Sequence, residues 1–280
     1  MKRTKSSTTA KAAAALRAIE SDRPPDARIC YDPFARKFIS TAFYLMVKWS
    51  SPYMTRVTPG ASGFVICRCR YFDDYFDQST KSGINQLVIL GAGFDSRGYR
   101  DALREANVKV FEVDHPATQK QKIELVRRII GKPPSALKYV SLDFDHESLD
   151  KLFSFGFNKS SKTLFIWEGV TCYLSSDAVD STLSWIRTHS AKGSAVIFDY
   201  LYTSSLTSKD FKGMQHYHRR INEGLVFGIE RGTIETFLSQ RGFSNVVNVD
   251  AKKLEEMYCI GKNQGRKVAD IYSIVHADVY

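Results

Sequence analysis

The stretch Leu87-Val-Ile-Leu-Gly-Ala-Gly-Phe-Asp-Ser-Arg97 decides the fold. Four apolar residues make a run of strand length, and Gly91-x-Gly93 follows at once. Glycines at such a turn let a ligand approach the backbone closely, and a helix beginning there favours negative charge at its N-terminus. A nucleotide-like ligand is the natural occupant, although a strand-to-helix turn also takes glycine for steric reasons alone. The dinucleotide fingerprint wants a third glycine where Ser96 stands, which makes a nicotinamide-dependent oxidoreductase the weaker reading.

Working outward from this turn, short apolar runs alternate with helical stretches. Strands are expected near residues 86–90, 109–113, 138–141, 163–167 and 194–200, with helices at 96–105, 117–130 and 177–189. A polar loop is expected at 203–212, then a helix at 233–241 and two last strands at 244–249 and 271–276. This is an α/β pattern: a mostly parallel seven-stranded sheet with helices on both faces and a final strand turned antiparallel. Upstream, residues 1–80 read as an N-terminal helical cap. Thr8 or Thr9 can cap an alanine run ending at Arg17, Pro24-Pro25 breaks it, and helical spacing resumes over 34–49 and 62–77. Residues 81–280 then form the ligand-binding part, with a lid insertion near 201–230.

Composition narrows the function classes. The chain has 280 residues and a formal net charge of +10, yet its lysines and arginines are scattered in short clusters. Nucleic acid is therefore an unlikely partner in this reading. No apolar run approaches the roughly 20 residues needed to span a bilayer, and no membrane partner is expected. Lys2, Arg3 and Lys5 are not followed by the apolar core of a signal peptide. Cys30, Cys67, Cys69, Cys172 and Cys259 are odd in number and scattered, which fits reduced thiols and a cytoplasmic location. Cys67 and Cys69 lack the partners of a zinc site, and no metal is expected.

Three acids sit at expected strand ends. Asp114 closes the second strand about twenty residues beyond the glycines, where a carboxylate can accept hydrogen bonds from both ribose hydroxyls. After the third strand, Asp143 and Phe144 could read and stack an adenine, although Asp143 would serve equally well as a helix cap. Glu168 follows the fourth strand between Trp167 and Gly169. A buried carboxylate there needs a cationic partner, which the ammonium of an amino-acid moiety or a structural arginine would supply equally well.

Several of these segments, in order, resemble the leucine carboxyl methyltransferase family, including its smaller bacterial and archaeal polyketide-type O-methyltransferase relatives. They are Ser7-Thr-Thr-Ala10 with Arg17-Ala18, Asp32-Pro33-Phe34-Ala35, Arg68-x-Arg70-Tyr-Phe-Asp73-Asp74, Gly91-Ala-Gly-Phe-Asp-Ser-Arg97, Glu112-Val-Asp-His-Pro116 with Lys120 or Lys122, Leu142-Asp-Phe144 and Glu168-Gly-x-x-x-Tyr173-Leu174. The resemblance implies a Rossmann-like methyltransferase fold that binds S-adenosylmethionine. By it, Arg68, with Arg70 as second choice, holds the methionine carboxylate, and Gly91, Ala92 and Gly93 line the methionine and ribose. Asp114 takes the ribose, Asp143 and Phe144 the adenine, and Glu168 the ammonium end. This chain departs from the family with Ser96 for the usual Thr, Phe144 for the usual Leu, and Asp199-Tyr200 in reversed order.

The expected reaction is methyl transfer to oxygen, on a carboxylate of a small aromatic or polyketide-like molecule. A carboxylate acceptor, ionised at neutral pH, needs no general base, whereas a phenol would benefit from His216 or His218. Tyr200 and Tyr202 are further acceptor-side candidates. Phe43, Tyr44, Trp49, Tyr53, Tyr202 and Tyr217 could line an apolar acceptor pocket. Competing expectations are a protein C-terminal carboxylate as acceptor, or a nucleotide-binding module without turnover.

Overall fold

Side chains alternate along β1 (Gln86–Leu90), sending Leu87 and Ile89 into one apolar cluster and Val88 and Leu90 into another. The strand is thus buried on both faces, as a central parallel strand must be. β4 (Thr163–Trp167) divides likewise, with Leu164 and Ile166 on the first face and Phe165 and Trp167 on the second. The computed structural model describes residues 7–100, 108–207, 215, 218 and 223–280.

The sheet has seven strands in the order β3-β2-β1-β4-β5-β7-β6. β2 (Lys109–Asp114), β3 (Leu137–Ser141) and β5 (Ala195–Leu201) run parallel with β1 and β4. β7 (Tyr272–Val279) is antiparallel both to β5 and to β6 (Phe243–Val249). Strand order reverses between β1 and β4. The carboxyl ends of these two strands therefore border the crevice in which ligands of open α/β sheets bind.

Helices cover both faces. Against the first lie α1 (Thr8–Ser21), α3 (Ala61–Lys81), α4 (Pro116–Ile130) and, near the chain's end, Ala251 and Leu254 of a helix spanning Ala251–Tyr258. Against the second lie Ala178, Val179, Leu183 and Ile186 of the helix Ser176–His189, and Ile234 and Leu238 of Ile234–Ser239. α2 (Thr41–Val57) packs on α1 and buries only Tyr44.

Three local expectations are corrected, and one helix was not foreseen. Ser7, not Thr8 or Thr9, is the N-cap of α1, its hydroxyl accepting from the Ala10 amide. The helix expected at 96–105 is, in its described part, a single 3-10 turn, Arg97–Tyr99, after which Arg100 is extended. Asp95 takes both the backbone amide and the guanidinium of Arg97, a local bond that competes with a regular helix start. Residues 101–105 lie outside the described residues. The loop expected at 203–212 opens with a short helix, Thr203–Thr207, and 208–212 lie outside the described residues. Helix Ala251–Tyr258 escaped the sequence reading, although Asp250 caps it by accepting from the Lys253 amide.

Candidate functional site

Beyond β1 the chain turns through Gly91 and Gly93, both at positive φ (67° and 46°). Asp114, the last residue of β2, holds this turn. Its Oδ2 accepts from the Gly93 amide at 2.6 Å and its Oδ1 from the His115 amide at 2.6 Å. A Cβ on Gly91 would stand 2.3 Å from Val170 Cγ2, and one on Gly93 would stand 3.2 Å from the Ala10 side chain of α1. The turn thus lies between α1 and the segment after β4. Beneath it, the buried Glu112 pairs with Lys122 Nζ at 2.7 Å, and Lys122 also reaches the Ala92 carbonyl at 3.5 Å. Burial pushes the Glu112 carboxyl up to about 7 against the pull of Lys122.

Beyond β4 lies a buried cluster of alternating charge. Glu168 accepts from Arg68 Nε at 3.1 Å and from Arg97 Nη1 at 2.8 Å. Arg68 also donates from Nη1 to Asp199 Oδ2 at 2.8 Å, while Asp199 Oδ1 accepts from the Gly169 amide at 2.5 Å. Arg97 bonds Asp73 at 2.7 Å as well as Asp95. Arg17 donates to Asp32 at 3.0 Å and to the Phe94 carbonyl at 2.7 Å. Burial would raise the Glu168 carboxyl, but Arg97 and Arg68 outweigh it and hold it below the ordinary range. Burial wins at Asp199, whose carboxyl is raised despite Arg68 and the Gly169 amide. The Arg68 guanidinium stays charged: burial opposes it, and Asp199 and Glu168 more than compensate. Such charges persist in a core only when each is paired and hydrogen-bonded.

The segment Glu168-Gly-Val170 links these two features. Glu168 meets Arg68 and Arg97, a Cβ on Gly169 would stand 3.1 Å from the Arg68 guanidinium, and Val170 abuts Gly91. Asp143 stands after β3, with its Oδ1 accepting from the Asp145 amide at 3.2 Å. The ring of Phe144 stacks on Trp167 at 6.3 Å. Arg70, by contrast, is turned outward to Asp74 and the Ile29 carbonyl.

The acceptor-side candidates scatter. Tyr200 is 1% exposed, and its hydroxyl donates to Asn248 on β6 at 3.0 Å, three strands from β4 in the sheet. Tyr202 is buried under the Arg231 guanidinium, 3.9 Å from its ring. His218 is buried 5.8 Å from the Tyr173 ring, and burial lowers its imidazole. His216 and Tyr217 lie outside the described residues. Tyr44 is buried against α1, whereas Trp49 and Tyr53 face solvent.

Sequence reasoning missed Arg97, Asp199 and Glu223 as parts of this region. Arg97 was visible as the end of the quoted stretch and Asp199 as a lone acid in an apolar strand. Glu223 had no local signal. Its carboxylate caps α1 from 215 residues away, accepting from the Thr8 amide at 2.8 Å, the Thr9 amide at 3.1 Å and the Thr9 hydroxyl.

This parallel-to-antiparallel sheet, with a glycine turn and an acid at successive strand ends, defines the Rossmann-like class of S-adenosylmethionine-dependent methyltransferases. A model of the family described as leucine carboxyl methyltransferase matches residues 10–187, and the chain belongs to that family. A Mycobacterium bovis protein assigned as an S-adenosyl-L-methionine-dependent methyltransferase is 28% identical over 255 residues, covering 84% of this chain and 81% of the relative. A Streptomyces avermitilis protein of the DUF574 family shares the fold with a TM-score of 0.61 at 13% identity, covering 94% of this chain and all of the other. A crystal structure of a protein assigned as a methyltransferase from Thermobifida fusca gives 0.58 at 14% identity, over 99% and 96% of the two chains.

Proposed function

We propose that this chain transfers a methyl group from S-adenosylmethionine to a carboxylate oxygen of a small aromatic or polyketide-like acid. The observation that carries the cofactor half is the contact of Arg68 with Glu168, 3.1 Å apart at the carboxyl end of β4. An α-amino acid bears its ammonium and its carboxylate on one carbon, so a site reading both must hold a cation and an anion side by side. Arg68 and Glu168 fit that requirement, with a planar fork for the carboxylate and an acid for the ammonium.

The other donor sets suit the rest of the cofactor. Asp114 would hold the ribose hydroxyls beside a turn free of side chains at Gly91 and Gly93. Asp143 and Phe144 would meet the adenine, Phe144 being steadied by Trp167. When bound, the cofactor supplies a methyl already activated on a sulfonium. What the chain must do is align the acceptor oxygen with that methyl and keep water out.

A carboxylate with a pKa of roughly 4 is ionised at neutral pH, so it needs no base. The buried cluster around Arg68 is consistent with this: apart from Glu168, its carboxylates Asp199, Asp73 and Asp95 are tied to arginines or backbone amides rather than held ready as a base. One observation favours a phenol as the second choice, because burial keeps the His218 imidazole neutral and able to accept a proton.

The test is incubation with S-adenosylmethionine and matched pairs of aromatic carboxylic acids and phenols, read by S-adenosylhomocysteine release and by the mass of the product. Methyl esters are expected. Methyl ethers alone would replace the carboxylate reading with the phenol one. Cofactor binding without turnover across the panel would overturn the proposed acceptor class.

A further inference from the structure

The segment Glu112-Val-Asp-His-Pro116 is followed by two lysines, and the fold separates them: Lys120 is exposed, whereas Lys122 of α4 is buried beneath the glycine turn. Lys122 Nζ pairs with Glu112 Oε2 at 2.7 Å, reaches the Ala92 carbonyl at 3.5 Å and stands 5.5 Å from the centre of the Tyr99 ring. Ala92 is the middle residue of the turn. Its amide donates to the Val113 carbonyl at 3.0 Å, and its carbonyl also accepts from the Asp95 amide at 2.7 Å. With the Gly93 amide on Asp114, the turn is tied to β2 on one side and, through Lys122, to α4 on the other.

A stability role alone does not account for this pair. Glu112 and Lys122 are 0% and 1% exposed. Taking two charges out of water costs about as much as their attraction returns, so apolar side chains of the same volume serve a core as well. The pair is also incompletely satisfied. Glu112 Oε2 accepts from the Tyr99 hydroxyl at 3.2 Å, but Oε1 is buried with no hydrogen-bond partner among the described residues. What surrounds the pair is the turn and its continuation. A Cβ on Gly98 would stand 2.9 Å from Glu112 Oε1, so the 3-10 turn Arg97–Tyr99 lies directly against the acid. Burial would raise the neighbouring Asp95 carboxyl, and the charges of Arg97 and Lys122 bring it down. Lys122 therefore acts on the turn at the Ala92 carbonyl and at the Asp95 carboxylate, and Glu112 is the counter-ion that keeps a cation there.

We propose that Lys122 is a positioning residue of the cofactor site: paired with Glu112, it fixes the Ala92 carbonyl from the α4 side and keeps the Gly91–Gly93 backbone in the shape that receives the cofactor. The inference rests on the reading that this turn lines the methionine and ribose of S-adenosylmethionine. Buried beneath the backbone, Lys122 acts through Ala92 and Asp95 rather than on the ligand. A turn already in its bound shape spares the ligand the cost of ordering it, and without Lys122 that cost falls on binding.

Paired substitutions in the full chain separate positioning from stability. Lys122→Met leaves Glu112 buried without its cation and should lower the melting temperature. Adding Glu112→Gln removes the stranded charge, and the double variant should recover most of that loss. Its affinity for S-adenosylhomocysteine and for adenosine, measured by calorimetry, should nevertheless stay about tenfold below wild type, because the Ala92 carbonyl still lacks its cation. The amide resonance of Gly93 in the ligand-free double variant should move from its wild-type position. If the double variant does not fold, Lys122→Gln with Glu112→Gln, a neutral pair too short to reach Ala92, serves with the same expectations. Recovery of affinity together with stability, or an unmoved Gly93 resonance, would make the pair purely structural and overturn the proposal. Asp114→Ala acts on the same turn and separates the two ways of failing. If it weakens both ligands while the Lys122 variants do not, this inference alone is wrong. If it leaves both affinities at the wild-type value, the placing of the cofactor on this turn is wrong and this inference falls with it.

Discussion

Arg68 of α3 donates from Nη1 to Asp199 of β5 at 2.8 Å, joining residues 131 positions apart at the edge of the β4 segment. Through Nε the same guanidinium holds Glu168, so one side chain ties the N-terminal helices to two adjacent strands. If Arg68 holds the methionine carboxylate as proposed, cofactor recognition and the docking of these helices share a residue.

Replacing Arg68 with Lys keeps the charge but loses the fork that spans two carboxylates. S-adenosylhomocysteine affinity should fall about tenfold or more, while adenosine, which has no carboxylate, should bind nearly as before. Stability should fall as well, by up to the ~3–5 kcal/mol seen when a buried pair is broken. Calorimetric titration with both ligands checks this, and equal weakening of the two would remove Arg68 from carboxylate recognition.

Asp114→Ala removes the acceptor of the Gly93 and His115 amides together with the proposed ribose ligand. Charge-assisted bonds of this kind contribute ~1.5–3 kcal/mol each, so binding of adenosine and of S-adenosylhomocysteine should weaken in parallel, by about tenfold or more. Unchanged dissociation constants in a sample that still melts cooperatively would show that this carboxylate serves only the turn.

Gly91→Ala places a Cβ at a φ of 67° and against Val170. The left-handed backbone costs about 1–2 kcal/mol and the overlap about 1–3 more. Val170→Ala should relieve the second part only. Urea denaturation of the two single variants and the double should therefore show the double losing less stability than the two singles combined. Simple additivity would mean that the turn moves away from Val170 at no cost.

Asp95 governs part of the acid response. Burial would raise its carboxyl, but Arg97, Lys122 and the Arg97 amide bring it down to about 2, from an ordinary 3.8. A folded value below the unfolded one gives stability that is complete above about pH 4 and lost as pH falls toward about 2, amounting to roughly 2 kcal/mol. Asp95→Asn should be less stable than wild type at neutral pH and should show a shallower loss over that interval, measured by denaturant midpoints at successive pH values. Parallel acid limbs for the two proteins would contradict this assignment.

The sequence by itself determined the strands, the glycine turn and the acids at the strand ends, because each is written within one element. The unbroken apolar run from Leu87 to Leu90 fits a strand with two buried faces, and a glycine pair at its end marks a backbone that must bend. Asp114 and Glu168 could be placed at the carboxyl edge of the sheet for the same local reason. Only the tertiary structure decided what Glu168 faces. Spacing left an amino-acid ammonium and an arginine equally eligible, and Arg68 and Arg97 arrive from 100 and 71 residues away because α3 and the turn after β1 converge beside β4. The aromatics Trp49 and Tyr53 show the same division. Helical periodicity groups them on one face, but nothing periodic says whether another element will cover that face, and in the fold α1 takes the opposite side. A period fixes direction around a helix or across a strand, whereas the partner met in that direction depends on strand order and chain crossings that no single segment encodes.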